Sequence, residues 1–269
     1  MQVADAVGPS EKSLLQLLNA HALRYGREDS FKMAKGRLLA DRFLVGVRAS
    51  GVPEGAFAAI ADGIGIPDKL KAMFLQHIEQ ADTVLFGMED SDTGLICKAY
   101  LEFWQKVRRE VLATGRQEPA LMNLGFKWYA NDSSINVVSR YTCYPMLDLA
   151  GMLQRIRDIY GRGTDQPSCR LALHLVQVAA MRNAPSIYME VSEDETSRRS
   201  YDINLYKANL TLGEVEPVLL EAAARYALPR EQFETLYSRL RTRLLGHLSG
   251  GLARDGSDFL TVYYETQPL

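Results

Sequence analysis

The residues with the clearest chemical potential are cations and tyrosines that recur in strand-like runs. The set consists of Arg42, Lys98, Lys127, Arg140, Tyr100, Tyr129, Tyr144, Tyr188, Tyr206 and Tyr263. Arg and Lys side chains that converge in a confined space form an anion site, and phosphate or diphosphate suits such fixed donors. Tyrosine faces stabilise a cation by about 0.5–2 kcal/mol per contact. The set therefore predicts an anion site beside a tyrosine-lined surface.

These residues lie in five pairs of strand-like runs, each joined by a short polar or glycine-bearing turn. β-branched and aromatic residues fill the runs, whereas Gly, Asn and Asp mark the turns, as in β-hairpins. The predicted hairpins span residues 30–48, 83–103, 122–144, 186–206 and 246–265. Their clearest turns lie at residues 35–36, 90–94, 131–134 and 255–256.

Helical patterns fill the segments between the hairpins. Apolar residues recur at helical spacing in residues 11–25, 103–114, 147–161 and 168–182. Residues 53–80 and 213–243 each read as two shorter helices, and Ser10 and Thr211 are the predicted N-caps. No linker or low-complexity stretch divides the sequence, so we predict one domain over residues 1–269.

The alternation along the strands indicates how they are assembled. In residues 96–103, the apolar set that includes Cys97 and Leu101 alternates with Lys98, Tyr100 and Glu102. The apolar face suits packing against helices, but a solvated opposite face would not need so many tyrosines. Closing the sheet removes its edges and turns that face into a lumen, and ten strands leave room for a ligand. We therefore predict an α+β fold: a closed antiparallel ten-stranded β-barrel of five αββα repeats, with helices outside and a ligand-holding lumen.

The predicted lumen has a specific chemical use. By alternation we place Arg140, Thr142 and Tyr144 on the inward face of their strand, and Glu89, Glu102, Glu190 and Glu265 also project inward. Fixed cations below tyrosine faces are suited to ionise an allylic diphosphate and to shelter the carbocation that results. The carboxylates either pair with the cations or bind Mg²⁺.

Composition excludes several other classes. The 31 Lys and Arg residues against 33 Asp and Glu residues give a net charge of −2, which argues against sequence-independent nucleic-acid binding. No apolar run approaches the ~18 residues of a membrane span, and the first thirty residues show no secretory signal. Cys97, Cys143 and Cys169 have no metal-ligand or disulfide-framework spacing. We therefore expect a cytoplasmic protein without nucleic-acid or membrane partners.

The layout and motifs resemble the αββα-barrel (PT-barrel, ABBA) soluble aromatic prenyltransferases, in particular the dimethylallyltryptophan synthases and the cyanobactin-type peptide prenyltransferases. The former hold the diphosphate with an Arg, a Lys-x-Tyr, an Arg-x-Lys-x-Tyr, a Gln-x-Tyr and a Tyr on five successive hairpins. The corresponding positions here are Arg42, Lys98-Ala99-Tyr100, Arg140-Tyr141-Thr142-Cys143-Tyr144, Asn204-Leu205-Tyr206 and Tyr263. The first hairpin is similar to the cyanobactin-type pattern, which begins with a Glu, here Glu28.

The resemblance implies transfer of a dimethylallyl or longer group from an allylic diphosphate to an electron-rich aromatic or peptide acceptor. The diphosphate ligands would be Arg42, Lys98, Arg140, Asn204 and Lys127. The cation-shielding residues would be Tyr100, Tyr144, Tyr206 and Tyr263. Glu28 would accept the proton or orient the acceptor, and loss of Lys98 or Arg140 would abolish most turnover.

Two positions depart from the dimethylallyltryptophan synthase pattern. Thr142 replaces a Lys, for which Lys127 is the candidate substitute, and Asn204 replaces a Gln. No DDxxD or NDxxD cluster is present. The resemblance therefore implies no metal-binding residues and no required cofactor, and it leaves Mg²⁺ dependence open. A barrel without free edges implies a monomer.

Two other interpretations remain open at this point. The first is a non-catalytic barrel that binds an anionic small molecule, and the second is an open α+β sheet whose polar face docks a protein partner. The histidines are scattered, and none is assigned a role. Arg198 and Arg199 stand beside three carboxylates, which is typical of a solvated hairpin loop.

Overall fold

Ten antiparallel strands form a closed barrel in the computed structural model, which describes residues 9–91, 94–115 and 117–267. The strands are β1 (Gly26–Ala34), β2 (Arg37–Arg48), β3 (Thr83–Ser91), β4 (Gly94–Glu102), β5 (Ala120–Tyr129), β6 (Asn136–Cys143), β7 (Ile187–Glu193), β8 (Arg199–Asn204), β9 (Leu245–Leu252) and β10 (Asp258–Gln267). Each strand pairs with its neighbour in sequence, and β10 returns to pair with β1. The predicted fold class is confirmed, and the open-sheet alternative is wrong because the sheet has no free edge.

Within each hairpin, the last residue of the first strand and the first residue of the second lie at the same end of the barrel. The second predicted turn includes Asp92 and Thr93, which lie outside the described residues. All connections between hairpins leave from the other end and carry the helices. We call these the hairpin end and the mouth.

One or two helices precede every hairpin, as the αββα pattern requires. They are α1 (Glu11–Ala20), α2 (Ala56–Gly63), α3 (Asp68–His77), α4 (Trp104–Thr114), α5 (Leu149–Tyr160), α6 (Pro167–Met181), α7 (Glu216–Arg225) and α8 (Arg230–Tyr237). Ser10 caps α1 in a reciprocal pair with Ser13. Thr211 caps a 3₁₀ turn over Leu212–Val215, before α7 rather than on it.

The apolar core lies between the barrel and its helices, outside the lumen. Ile203, Leu248 and Leu260 on the outer faces of the strands form one buried cluster with Leu175 of α6. On the other side, Phe74 of α3 packs edge-on against Phe126 of β5, with ring centroids 5.8 Å apart. On the strands of these two clusters, the apolar residues named here therefore mark the outer face of the barrel.

A β-bulge interrupts the alternation of inward and outward side chains in β9. Leu248 pairs with Val262 and Leu245 pairs with Tyr264, so Gly246 and His247 together lie opposite Tyr263. A Cβ atom on Gly246 would lie 2.5 Å from the ring of Tyr206, so this position requires glycine. The bulge directs His247 into the lumen.

Candidate active site

The hairpin end of the lumen is a cavity of about 400 Å³ that we call the basic pocket. Six cations line it: Lys32, Arg42, Lys98, Lys127, Arg198 and Arg254. Its carboxylates are Glu89, Glu193 and Asp255, the last on an exposed turn. Cations therefore outnumber carboxylates twofold in this pocket.

Glu89 is the counter-ion of two of these cations. Lys98 donates a hydrogen bond of 2.6 Å to Glu89 Oε2, and Arg42 donates to the same oxygen. Although burial opposes ionisation of Glu89, Arg42 and Lys98 hold the pKa of its carboxyl well below the usual range. Burial lowers the pKa of the Lys98 ammonium to about 8, against the opposing effect of Glu89. Glu89 thus pairs with two cations and neutralises only one positive charge, so positive charge remains that could bind an anionic ligand.

Glu193 is the counter-ion of three further cations of the basic pocket. Arg198 and Arg254 donate to its two oxygens at 2.6 and 2.8 Å, and Lys127 Nζ lies 3.5 Å away. Burial and the nearby Arg198 lower the pKa of the Lys127 ammonium well below its usual range. Lys32 contacts no carboxylate among the described residues but lies over the ring of Phe259, and burial lowers its pKa to about 8. An anionic ligand would relieve the repulsion between Lys127 and Arg198 and the repulsion between Lys32 and Arg42.

Three tyrosines separate the basic pocket from the mouth. Tyr100, Tyr141 and Tyr263 line both cavities. The rings of Tyr100 and Tyr141 meet edge to face, with centroids 6.0 Å apart. We call these residues the tyrosine belt, and any cation at this level faces their π-surfaces.

The mouth is a larger cavity of about 530 Å³, lined by four carboxylates and by one lysine, Lys207. Glu28 accepts a hydrogen bond of 2.6 Å from the Tyr206 hydroxyl. Nδ1 of His247 lies 2.8 Å from Asp202 Oδ1. His247 also stacks edge-on against Tyr206, with centroids 5.5 Å apart. The Glu28–Tyr206 and Asp202–His247 pairs are therefore adjacent in one wall of the mouth.

Burial and mutual repulsion raise the pKa values of two mouth carboxyls, Glu28 and Glu102. Burial raises the pKa of Glu28, against opposing effects from His247 and the Tyr206 hydroxyl. Burial, with Glu28 and Asp202 nearby, raises the pKa of Glu102 to about 7. Despite burial, Asp202 and Glu28 raise the pKa of His247 to about 9, so the imidazole is protonated at neutral pH. A carboxylate with a raised pKa is suited to accept a proton.

The structure places most of the predicted site residues in the lumen, at two different levels. Arg42, Lys98 and Lys127 lie in the basic pocket, and Tyr100 and Tyr263 lie in the belt. Glu28, Asn204 and Tyr206 line the mouth. Asn204 is thus separated from the cations with which it was grouped, because β8 ends at the mouth. There its amide lies 3.3 Å from His247 Nε2.

The inward facing predicted for Arg140 and Tyr144 is wrong. Arg140 pairs in register with Leu124, an outward residue, and its half-exposed side chain bonds to Asp194. The Tyr144 hydroxyl donates a hydrogen bond to Glu190. The guanidinium carbon of Arg155 lies over the Tyr144 ring, 3.6 Å from the ring centroid. On β6 both alternating sets contain polar and aromatic residues, so polarity alone does not fix which set faces inward. Here the polar set lies on a partly solvated outer surface.

Two more inward assignments fail on β7, where the usual pattern is inverted and the set that includes the apolar residues Ile187 and Met189 lines the lumen. Tyr188 is buried in the outer core, and Glu190 bonds to Arg155 and Tyr144 outside the barrel. The lumen instead receives Met189 and Glu193 from this strand.

Sequence reasoning missed several residues of the lumen, and four of them are instructive. Tyr141 occupies the belt position expected of Tyr144, and its adjacency to Arg140 within the same motif was the available signal. Arg198 was interpreted as a solvated turn residue, yet only 14% of its side chain is exposed. Lys32 carried no motif, and the bulge hides His247 from any period-two pattern.

Three negative findings apply to the residues that the structure describes. None of their helices is long and apolar enough to cross a membrane. No group of three or more His, Cys, Asp or Glu side chains among them is arranged to hold a metal ion. Cys97, Cys143 and Cys169 are buried and unpaired.

The chain thus forms a closed barrel whose lumen holds a basic pocket, a tyrosine belt and an acidic mouth. No family model matches the sequence, and no curated protein matches it. Solved structures do match. AnaPT from Neosartorya fischeri superposes with a TM-score of 0.53 at 9% identity, over 90% of this chain and 78% of that one.

Two further matches were solved with small molecules bound. The 6-dimethylallyltryptophan synthase from Micromonospora olivasterospora, in complex with DMASPP and Trp, has a TM-score of 0.55 at 12% identity, over 90% of this chain and 84% of that one. The NotF prenyltransferase, in complex with brevianamide F and DMSPP, has a TM-score of 0.53 at 12% identity, over 91% and 81%. The chain therefore has the PT-barrel fold of the aromatic prenyltransferases, as the resemblance in sequence indicated.

Proposed function

We propose that the protein transfers a dimethylallyl or longer prenyl group from an allylic diphosphate to an electron-rich aromatic or peptide acceptor. The observation that carries this proposal is the basic pocket, in which six cations face three carboxylates directly below a belt of tyrosines. Structures with the same fold contain DMSPP or DMASPP together with brevianamide F or Trp, which supports this donor and acceptor class.

In the proposed reaction the diphosphate lies in the basic pocket, bound by Arg42, Lys98 and Lys127. The bond between the allylic carbon and the diphosphate oxygen breaks, and its electron pair leaves with the diphosphate. Cations fixed in a buried pocket stabilise the negative charge that develops there. They need no reorientation, because Glu89 and Glu193 already hold them in place.

The allyl cation then lies at the tyrosine belt. Tyr100, Tyr141 and Tyr263 offer π-surfaces and exclude water, which would otherwise capture the cation. The acceptor enters from the mouth, and its electron pair forms the new bond to the allylic carbon. The proton that the acceptor loses passes to Glu28, whose raised pKa suits it to that task.

The deciding experiment is a calorimetric titration with dimethylallyl thiolodiphosphate, followed by mass spectrometry of reactions with dimethylallyl diphosphate and a panel of aromatic and peptide acceptors. The proposal predicts micromolar binding and a product heavier than the acceptor by one prenyl unit. Binding without any product would favour the non-catalytic anion-binding barrel. Absence of binding for five-, ten- and fifteen-carbon analogues would refute a prenyl site in the lumen.

A further inference from the structure

The mouth differs from the basic pocket in the sign of its charge. Four carboxylates line it: Glu28, Glu102, Asp202 and Glu265. They come from β1, β4, β8 and β10, so they surround the cavity rather than follow one strand. Glu28 and Glu265 lie side by side in the register of β1 and β10.

The deep cation in this wall is His247, which Asp202 already engages at 2.8 Å. Arg27 also lines the mouth, but it pairs with Asp29 at 2.8 Å and with Glu11. Lys207 stands on the exposed rim. Of the four carboxylates, only Asp202 forms an ion pair within the part of the chain that the structure describes.

Two of these carboxylates have no partner within the described part of the chain. The side chains of Glu102 and Glu265 form neither a hydrogen bond nor an ion pair there, although both are partly buried and line the cavity. Withdrawing a carboxylate from water without a partner is unfavourable. A cationic ligand would supply the missing partner for both.

An aromatic ring marks the same place. Trp104 begins α4 two residues after Glu102, lines the mouth and leaves 41% of its surface exposed. A partly exposed indole beside unpaired carboxylates is suited to bind an organic cation. The ring face attracts the positive charge, and the carboxylates accept hydrogen bonds from the N–H groups of the cation.

Resting on the proposed function, we propose that the acceptor carries a positively charged nitrogen group, a guanidinium or a protonated amine. This group docks in the mouth against Glu102, Glu265 and Trp104. It acts as an anchor, and the nucleophilic atom of the acceptor lies deeper, toward the tyrosine belt and Glu28. The mouth thereby selects the acceptor by charge, whereas the basic pocket selects the donor.

The test compares matched probes on the full chain, with and without saturating dimethylallyl thiolodiphosphate. N-acetyl-argininamide and N-acetyl-lysinamide are the cationic probes, and N-acetyl-citrullinamide is the neutral isostere of the first. Binding is measured by ligand-observed NMR titration. We expect at least one cationic probe to bind about tenfold more tightly than citrullinamide, and the comparison between the two identifies the cation type.

Substitutions test which residues cause the preference for the cationic probes over citrullinamide. Glu102→Gln and Glu265→Gln should each reduce it severalfold, and Trp104→Ala should weaken both cationic probes. Glu231→Gln removes an exposed carboxylate on α8 and should change nothing. Equal binding of argininamide, lysinamide and citrullinamide by the unaltered protein would overturn the inference. Persistence of the preference in the folded Glu102→Gln/Glu265→Gln double variant would also overturn it.

This outcome is separable from that of the proposed function. If the thiolodiphosphate binds and no cationic probe is preferred, only the acceptor inference fails. If the thiolodiphosphate does not bind, the proposed function fails, while the preference measured without it still reports on the mouth. The wild-type ratio decides the matter even if a variant does not fold.

Discussion

Tyr206 and Glu28 are joined by a hydrogen bond of 2.6 Å across the mouth, although 178 positions separate them in sequence. The bond connects the 3₁₀ turn that follows β8 to the first strand of the barrel. It holds the Glu28 carboxylate in the lumen and favours its ionised form. Gly246 provides the space for the contact, since a Cβ atom there would meet both side chains.

Removing this hydroxyl should change the pH dependence of turnover. In Tyr206→Phe the ring remains, but the ionised form of Glu28 loses a hydrogen bond, so the pKa of Glu28 rises. The acid limb of kcat/KM should therefore move to higher pH, by up to about one unit. Tyr144→Phe is the matched control, since its hydroxyl bonds to Glu190 outside the lumen. An identical acid limb in Tyr206→Phe and the wild-type protein would count against Glu28 as the proton acceptor.

The variants Lys98→Ala and Arg140→Ala distinguish the site that the structure shows from the site that the sequence motif predicts. The motif predicts that either change abolishes most turnover, whereas only Lys98 lies in the basic pocket. We expect Lys98→Ala to weaken thiolodiphosphate binding about 10- to 100-fold, as for loss of a charged hydrogen bond. Arg140→Ala should remain within about twofold of wild type, because an exposed ion pair contributes little. Equal losses in the two variants would show that Arg140 reaches the ligand.

The sequence was sufficient for the architecture because each element carries its own signal. Turn residues separate β-branched runs, and helical spacing fills the gaps, so the five αββα units follow from local patterns. On β4 the alternation of Cys97 and Leu101 with Lys98 and Tyr100 is unambiguous, and both Lys98 and Tyr100 lie in the lumen as expected.

Facing could not be predicted where the pattern is balanced or broken. On β6, residue types do not distinguish the set of Tyr141 from the set of Arg140, and the choice depends on the register across the turn. On β9 the bulge shifts His247 by one position. Arg198 looks like a turn cation, and only the closed barrel buries it against Glu193. These errors concern strand register, a bulge and burial inside the closed barrel, none of which is encoded by the residue types along a single strand.

Donor binding should take up protons at mildly alkaline pH. Burial lowers the pKa values of Lys32 and Lys98 to about 8, so both are mostly neutral at pH 9 in the free protein. A bound diphosphate restores the charged form, so uptake of about one proton is expected near pH 8. Affinity should fall roughly tenfold per lysine between pH 7 and pH 9. Calorimetry in buffers of different ionisation enthalpy measures the uptake, and zero uptake would contradict a site at these lysines.

Gly125 is expected to control the position of Tyr100. The two residues are cross-strand partners, and a Cβ atom at Gly125 would lie 2.7 Å from the Tyr100 ring. Gly125→Ala should therefore displace the ring into the lumen, reduce turnover and lower the free energy of unfolding by about 1–3 kcal/mol. Gly46→Ala is the control, because its Cβ would meet its nearest neighbour at 3.6 Å. Thermal unfolding and turnover should distinguish the two, and equal behaviour would place Tyr100 elsewhere.

Chelation tests whether the cations suffice without a metal. The basic pocket supplies six positive side chains, so we propose that EDTA-treated protein retains at least half of its turnover. In Lys98→Ala, added Mg²⁺ should restore part of the lost rate, because a diphosphate-bound ion replaces the missing charge. Complete loss of wild-type turnover on chelation would refute the proposal.

The segregation of cations and carboxylates along the barrel axis makes the lumen an oriented electric field. A positive charge created at Tyr100 and Tyr263 is repelled by the basic pocket and attracted toward Glu28 and Asp202. A diphosphate anion experiences the opposite force. In the proposed reaction, this field would oppose recombination of the ion pair formed at the belt and would drive the electrophile toward the mouth. The direction of prenyl transfer would then be set by the fixed charges of the barrel wall.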